Sequence, residues 1–208
     1  KDQIKAAEKA LKNGNTAEAL ATLKQAEATI GAATEAEKAQ YYFVKGNSHA
    51  DLANKKMEIT KNNVEAGKAY QQVLAIEKAS GKSKYSADAQ IGLSKIKDDL
   101  LNAAQIEAKK ETKEGSLNAA NLLYASYELD KTNMQNLYYA ASYYMNAEDY
   151  DKALQYFEEL KKSNFTGEST NYYAKNAISE QEDYYGSDDA AKKNRDNQVR
   201  LKLATTPR

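Results

Sequence analysis

The chain has 208 residues with 30 Lys and Arg against 30 Asp and Glu, so its formal net charge is zero and no basic excess recruits nucleic acid or an anionic membrane. The absence of cysteine excludes disulfides, thiolate zinc sites and thiol nucleophiles. No apolar run approaches the ~20 residues needed to span a bilayer, and a chain 41% hydrophobic with a single proline reads as mostly helical.

In chain order, Ile4, Ala7, Ala10 and Leu11 form a helical stripe over residues 2–12, stopped by Asn13-Gly14-Asn15. A second helix is expected over 16–30, with Ala19, Leu20, Leu23 and Ala26 on one face. A third starts near Thr34, where Thr-Glu-Ala-Glu fits a capping box, and runs through "YYFVKGNSHADLA". The polar stretch "NKKMEITKNN" reads as a loop before a helix over 64–79, and "SGKSKYS" as punctuation. One long helix is expected from Ala87 to about Lys113, because Leu93, Ile96, Leu100 and Ala103 keep a 3-4-3 spacing. Helices over 116–130, 134–147 and 149–162 follow. Beyond Gly167, "TNYYAKN" and "EDYYG" predict a short hairpin, and "SDDAAKKNRDNQVRLKLA" an N-capped terminal helix. The fold class expected is all-α, with residues 1–167 forming one array and 168–208 a C-terminal appendage, a possible junction to further repeats.

A pattern recurs along this array. Ala153, Phe157 and Leu160 align with Ala119, Leu123 and Ser126, with Ala66, Tyr70 and Val73, and with Ala19, Leu23 and Ala26. Each set is small, then large four residues on, then small or medium after three more, in the second helix of a pair. The alanines are spaced 66−19=47, 119−66=53 and 153−119=34 residues apart. A small residue lets two helix backbones close, and the larger one fills the gap above. Such pairs bury their apolar faces only by stacking on neighbours.

The stretch 134–167 resembles a tetratricopeptide repeat, whose period is 34 residues. Leu137, Ala140, Ala141 and Tyr144 match its first helix, "AEDYDKAL" its turn, and Ala153, Phe157 and Leu160 its second helix. Phe165 stands where a proline normally closes the repeat. Residues 1–38, 39–80 and 81–132 resemble further, more divergent repeats, with Gly14 and Gly46 among the matching positions. The order of segments is also similar to the N-terminal part of exported repeat proteins of Bacteroidetes-type bacteria. The resemblance implies an α-solenoid of about four irregular helix pairs, noncatalytic protein binding or scaffolding, and a periplasmic location. In this family the concave groove is lined by first helices, which here places Ile4, Phe43, Asn47, Ala104, Tyr138, Ser142 and Met145 on the partner-binding side. The rival expectation is a spacer arm of a larger protein with no ligand of its own. The opening residues read as charged helix rather than a signal peptide, and Lys1 in place of Met implies that an upstream segment has been removed.

Chemical readings are weaker. His49 is the sole histidine, and a lone helical His reads as packing rather than as a ligand or base. "GKS" at 81–83 lacks the earlier glycine and the strand of a phosphate loop. Asp98-Asp99, Glu158-Glu159 and Asp188-Asp189 are adjacent pairs, which diverge around a helix by ~100° and so do not converge as a catalytic dyad. Repeats that clamp a chaperone's C-terminal carboxylate carry Lys and Asn on first helices, where this chain has Ile4, Glu8, Phe43 and Asn47. The expectation is therefore no catalytic residue, no metal and no cofactor, with a protein or peptide partner, no nucleic acid and no membrane insertion.

Overall fold

The computed structural model describes residues 1–167 and, beyond them, the backbone of three strands. The helices are α1 (Asp2–Lys12), α2 (Thr16–Ile30), α3 (Glu35–Asn54), α4 (Ile59–Ser80), α5 (Ser86–Ala108), α6 (Lys113–Leu129), α7 (Met134–Asn146) and α8 (Tyr150–Lys162). Thr34 opens α3 through the expected capping box: its hydroxyl accepts from the Glu37 amide, and the Glu37 carboxylate accepts from the Thr34 amide.

Two boundaries depart from expectation. The polar run read as a loop is mostly helix, because only residues 55–58 turn between α3 and α4. Asn62 and Asn63 are buried, and the Asn62 amide donates to the Met57 carbonyl at 2.7 Å, so the Asn62 side chain fastens the turn from inside. The long helix α5 ends at Ala108 rather than near Lys113. Glu111 takes a positive φ of 52°, and the Thr112 side chain then accepts from the Gly115 amide to start α6.

The chain divides into two compact units, Lys1–Glu159 and Leu160–Arg208. Within the first, each helix from α1 to α7 packs on the next, and α1 touches α3, α3 touches α5 and α4 touches α6. Tyr156 of α8 stacks on Tyr124 of α6, with ring centroids 4.6 Å apart. Ala19, Ala66, Ala119 and Ala153 are all buried, as are Ala26, Val73, Ser126 and Leu160 seven residues after each. The large residue between is buried at Leu23, Tyr70 and Leu123, and half-buried at Phe157, where the neighbouring Tyr156 takes the interior position instead.

Tyr70 occupies the tightest of these contacts. A Cβ placed on Gly46 of α3 would lie 2.6 Å from one edge of its ring, and a Cβ on Gly92 of α5 2.6 Å from the other. The ring is thus held between two helices at distances that no side chain other than hydrogen allows, and its hydroxyl donates to Asn47 Oδ1 at 2.7 Å. One turn earlier on the same helix, Gly67 lets α4 close on Leu129 of α6, whose carbonyl accepts from Gln71 at 2.6 Å.

Glu77 fixes the next joint. It is 2% exposed, and its carboxylate accepts from the amides of Tyr85 and Ser86 at 3.0 and 2.8 Å and from the Ser86 hydroxyl at 2.6 Å. A carboxylate among the free amides at a helix start satisfies donors that the helix itself leaves unpaired. Burial pushes the Glu77 carboxyl up, but these hydrogen bonds together outweigh it and hold the group below its ordinary range.

In the second unit β1 (Tyr172–Asn176) pairs antiparallel with β2 (Glu182–Tyr185), as the expected hairpin requires, with Tyr172 opposite Tyr185. The terminal helix is a correction. Residues Gln198–Lys202 form β3, which pairs antiparallel with the other edge of β1, giving the order β2-β1-β3. Gln198-Val199-Arg200-Leu201-Lys202 alternates polar and apolar residues, and that period-two pattern fits a sheet rather than a helix. The remainder of the expected helix lies outside the described residues.

Two outcomes follow from these joints. Replacing a helical glycine by alanine ordinarily gains about 1 kcal/mol. At Gly46 or Gly92 the added methyl overpacks a ring that has no room to retreat, at the upper end of the usual ~1–3 kcal/mol. Gly46→Ala and Gly92→Ala should each lose about 1–2 kcal/mol in urea unfolding, and an unchanged or raised midpoint would show that the ring yields. For Glu77, a folded pKa below the unfolded value near 4.5 means that its contribution is complete above that value and lost as pH falls through the folded one. Glu77→Gln should therefore destabilise by ~1.5–3 kcal/mol at pH 7, the worth of charge-assisted hydrogen bonds. The gap from the parent should narrow as pH drops below ~4.5, and a gap independent of pH would remove the charge from the explanation.

Candidate functional site

The sequence places Leu101, Gln105 and Ala108 on one face of α5, at spacings of four and three, and Tyr139 and Tyr143 one turn apart on α7. These two faces flank a cavity of about 420 Å³, completed by Ala104, Leu123 of α6 and Asn136. Asn136 is buried and donates to the Ser126 hydroxyl at 3.1 Å, which pins the start of α7 against α6. Gln105 is exposed at the mouth, while Leu101, Ala108, Tyr139 and Tyr143 are half-buried. No carboxylate or cation lines this cavity. Amides and phenols around an apolar floor match the needs of a peptide segment: an aliphatic side chain below, and backbone amides to be hydrogen-bonded above.

Of the seven residues expected in a partner groove, the structure brings only Ala104 to this cavity. Ile4 is buried in the core with Ala7, Leu23, Tyr41 and Val44, so its side chain has no surface to offer. Ala104 is itself 3% exposed and forms floor rather than contact surface. Phe43 is half-buried and stacks on Tyr85 with centroids 4.8 Å apart, and Asn47 is engaged by the Tyr70 hydroxyl. Ser142 donates to the Tyr138 carbonyl, and the Tyr138 ring meets Phe157 edge-on at 6.2 Å. Met145 is 49% exposed and alone among the seven presents a large open apolar surface.

Tyr139 and Tyr143, which the expected groove set leaves out, are the aromatic residues that reach the cavity. Their i, i+4 spacing, repeated by Leu101 and Gln105, was the available signal.

Charged side chains lie near Phe43, beside its stacking partner Tyr85. A second cavity of about 470 Å³ is lined by Lys1, Gln40, Glu77, Lys84 and Tyr85 among others. Gln40 donates to Glu8 at 2.7 Å, and Lys84 lies 4.8 Å from the centre of the Tyr85 ring. Lys12, through its hydrogen bond, holds the Glu8 carboxyl below the ordinary range.

Among the remaining chemical candidates, His49, Asp99 and Glu159 make structural contacts, while Asp98 and Glu158 are exposed. His49 Nδ1 is 2.8 Å from Asn62 Oδ1 and joins α3 to α4. Asp99 pairs with Lys95, and Glu159 accepts from the Tyr127 hydroxyl at 2.5 Å. Burial, with Glu159 beside it, pushes the Tyr127 phenol up to about 12. Asp188-Asp189 lies outside the described residues. Among the described residues no group of three His, Asp or Glu side chains could hold a metal ion, and no helix is long and apolar enough to cross a membrane. Comparison with protein-family models, with curated proteins and with solved structures gives no match.

Proposed function

We propose that the chain is a noncatalytic interaction module, a stack of tetratricopeptide-like helix pairs that binds a peptide or helix of a protein partner along its first helices. The observation that carries this reading is the uncharged cavity between α5 and α7, with Gln105 at its mouth and Tyr139 and Tyr143 on its wall. The stacking part is supported by the recurrence of a buried alanine at 19, 66, 119 and 153, each followed by its large and small partners. Contacts of α1 with α3 and of α3 with α5 accord with first helices lying side by side. A location outside the cytoplasm belongs to the same proposal and rests on the resemblance alone.

The test is site-specific photocrosslinking from position 105 and position 143, with Leu154, 61% exposed on α8, as the control position. One partner should be captured from both cavity positions and not from the control. Tyr139→Ala and Tyr143→Ala should then weaken its binding, together by ~2 kcal/mol or more, as aromatic anchors at interfaces do. With no charged group in the cavity, added salt should change the affinity little. Capture from the control alone, or affinity unchanged in both tyrosine variants, would leave the spacer-arm reading as the better one.

A further inference from the structure

A second apolar groove lies on different helices. Its volume is about 650 Å³, and it runs between the N-terminal half of α4, the C-terminal end of α5 and α6. Val64, Ala103, Leu122 and Ala125 make its floor, and Ile59, 40% exposed, and the half-buried Tyr124 stand over it. Four charged side chains line it: Lys61, Glu65, Glu107 and Glu128. Two of these are already neutralised, Lys61 by Glu58 at 3.1 Å and Glu107 by Lys110 at 2.6 Å. Asn118 donates a further hydrogen bond to Glu107.

Glu65 of α4 and Glu128 of α6 are left without an ion-pair partner among the described residues, and both are half-buried. The lysines near them make no ion pair with either carboxylate. Lys131 sits over the ring of Tyr127 at 4.1 Å, Lys45 pairs with Glu27, and Lys68, which borders a smaller groove with Glu65, makes no ion pair with it. A neutral chain thus carries a local excess of two uncompensated carboxylates flanking an open apolar floor. Half-removed from water, they gain more from an arriving cation than fully solvated carboxylates do.

We infer that this groove docks a basic amphipathic segment of a partner protein, its aliphatic side chains against Ile59, Val64 and Tyr124 and its Lys or Arg residues against Glu65 and Glu128. Charge complementarity selects this occupant: an acidic segment would add like charge to both rims, and an uncharged one would leave both carboxylates uncompensated and less solvated. The site is separate from the cavity between α5 and α7 and does not depend on the function proposed for it.

The experiment uses the full chain and two labelled 15-residue helical peptides, one of Leu and Lys and one with Glu in place of every Lys, followed by fluorescence anisotropy. The Lys peptide should bind and the Glu peptide should not. Glu65→Gln combined with Glu128→Gln should weaken the Lys peptide about tenfold or more. Ile59→Ser should weaken it severalfold, with helical content unchanged by circular dichroism. Asp98→Asn combined with Glu158→Gln removes the same charge from exposed positions outside the groove and should leave affinity within about twofold. Tyr143→Ala should have no effect on this peptide. Failure of the Lys peptide to bind, or equal losses in the groove and control double variants, would overturn the inference in favour of diffuse electrostatic attraction.

Discussion

The placement of the Tyr70 ring between Gly46 and Gly92 is the constraint on which the rest of the helical unit depends. An aromatic side chain held on both edges by bare backbone leaves α3 and α5 one separation and one relative height, because any slip would drive the ring into a helix. The hydroxyl bond to Asn47 fixes the remaining freedom of the ring. Its burial and the desolvation that goes with it push the phenol up to about 12, so the ring stays neutral, and bonded as a donor, across the physiological range.

From this joint the later elements follow in order. With α3, α4 and α5 locked, the buried Glu77 holds the chain where α5 begins, and Gly67 brings α6 against α4. The height of α5 decides where Leu101 and Gln105 stand opposite Tyr139 and Tyr143, and so whether the uncharged cavity exists. The height of α6 decides where Glu128 stands relative to Glu65, and so the spacing of the two acidic rims. Both proposed surfaces therefore inherit their geometry from packing contacts that no partner touches. Polar residues do this positioning as much as apolar ones: Asn62, Asn63, Glu77, Ser126 and Asn136 are all buried.

Much of the helical unit was legible in the sequence, and the reasons for the rest are physical. Strong 3-4 spacing made α1 and α2 legible and a local capping box the start of α3, where the decisive interactions lie within a few residues of each other. The alanine-led triplets survived as burial because helix contact distance depends on the size of one residue. Asn62 and Asn63 misled because polarity was equated with solvent, while both are buried and the partners of Asn62, a carbonyl five residues back and His49 across a helix pair, are visible only in three dimensions. The groove residues were harder still. Ile4 and Ala104 turn out to be buried floor, and a phase error of one position on a helix, ~100°, exchanges floor for surface. The β3 segment failed for another reason: helix-rich surroundings weighted the reading against an alternation only five residues long.

The most direct measurement of the central claim is the effect of Gly92→Ala in a Tyr70→Leu background, by equilibrium urea unfolding. If the ring is what forbids a methyl group at Gly92, shortening it reverses the sign of the substitution. The alanine should then stabilise the protein by up to ~1 kcal/mol, its helix-propensity advantage over glycine. The same destabilisation in both backgrounds would mean that something other than Tyr70 fills the space, and that the separation of α3 and α5 is set elsewhere.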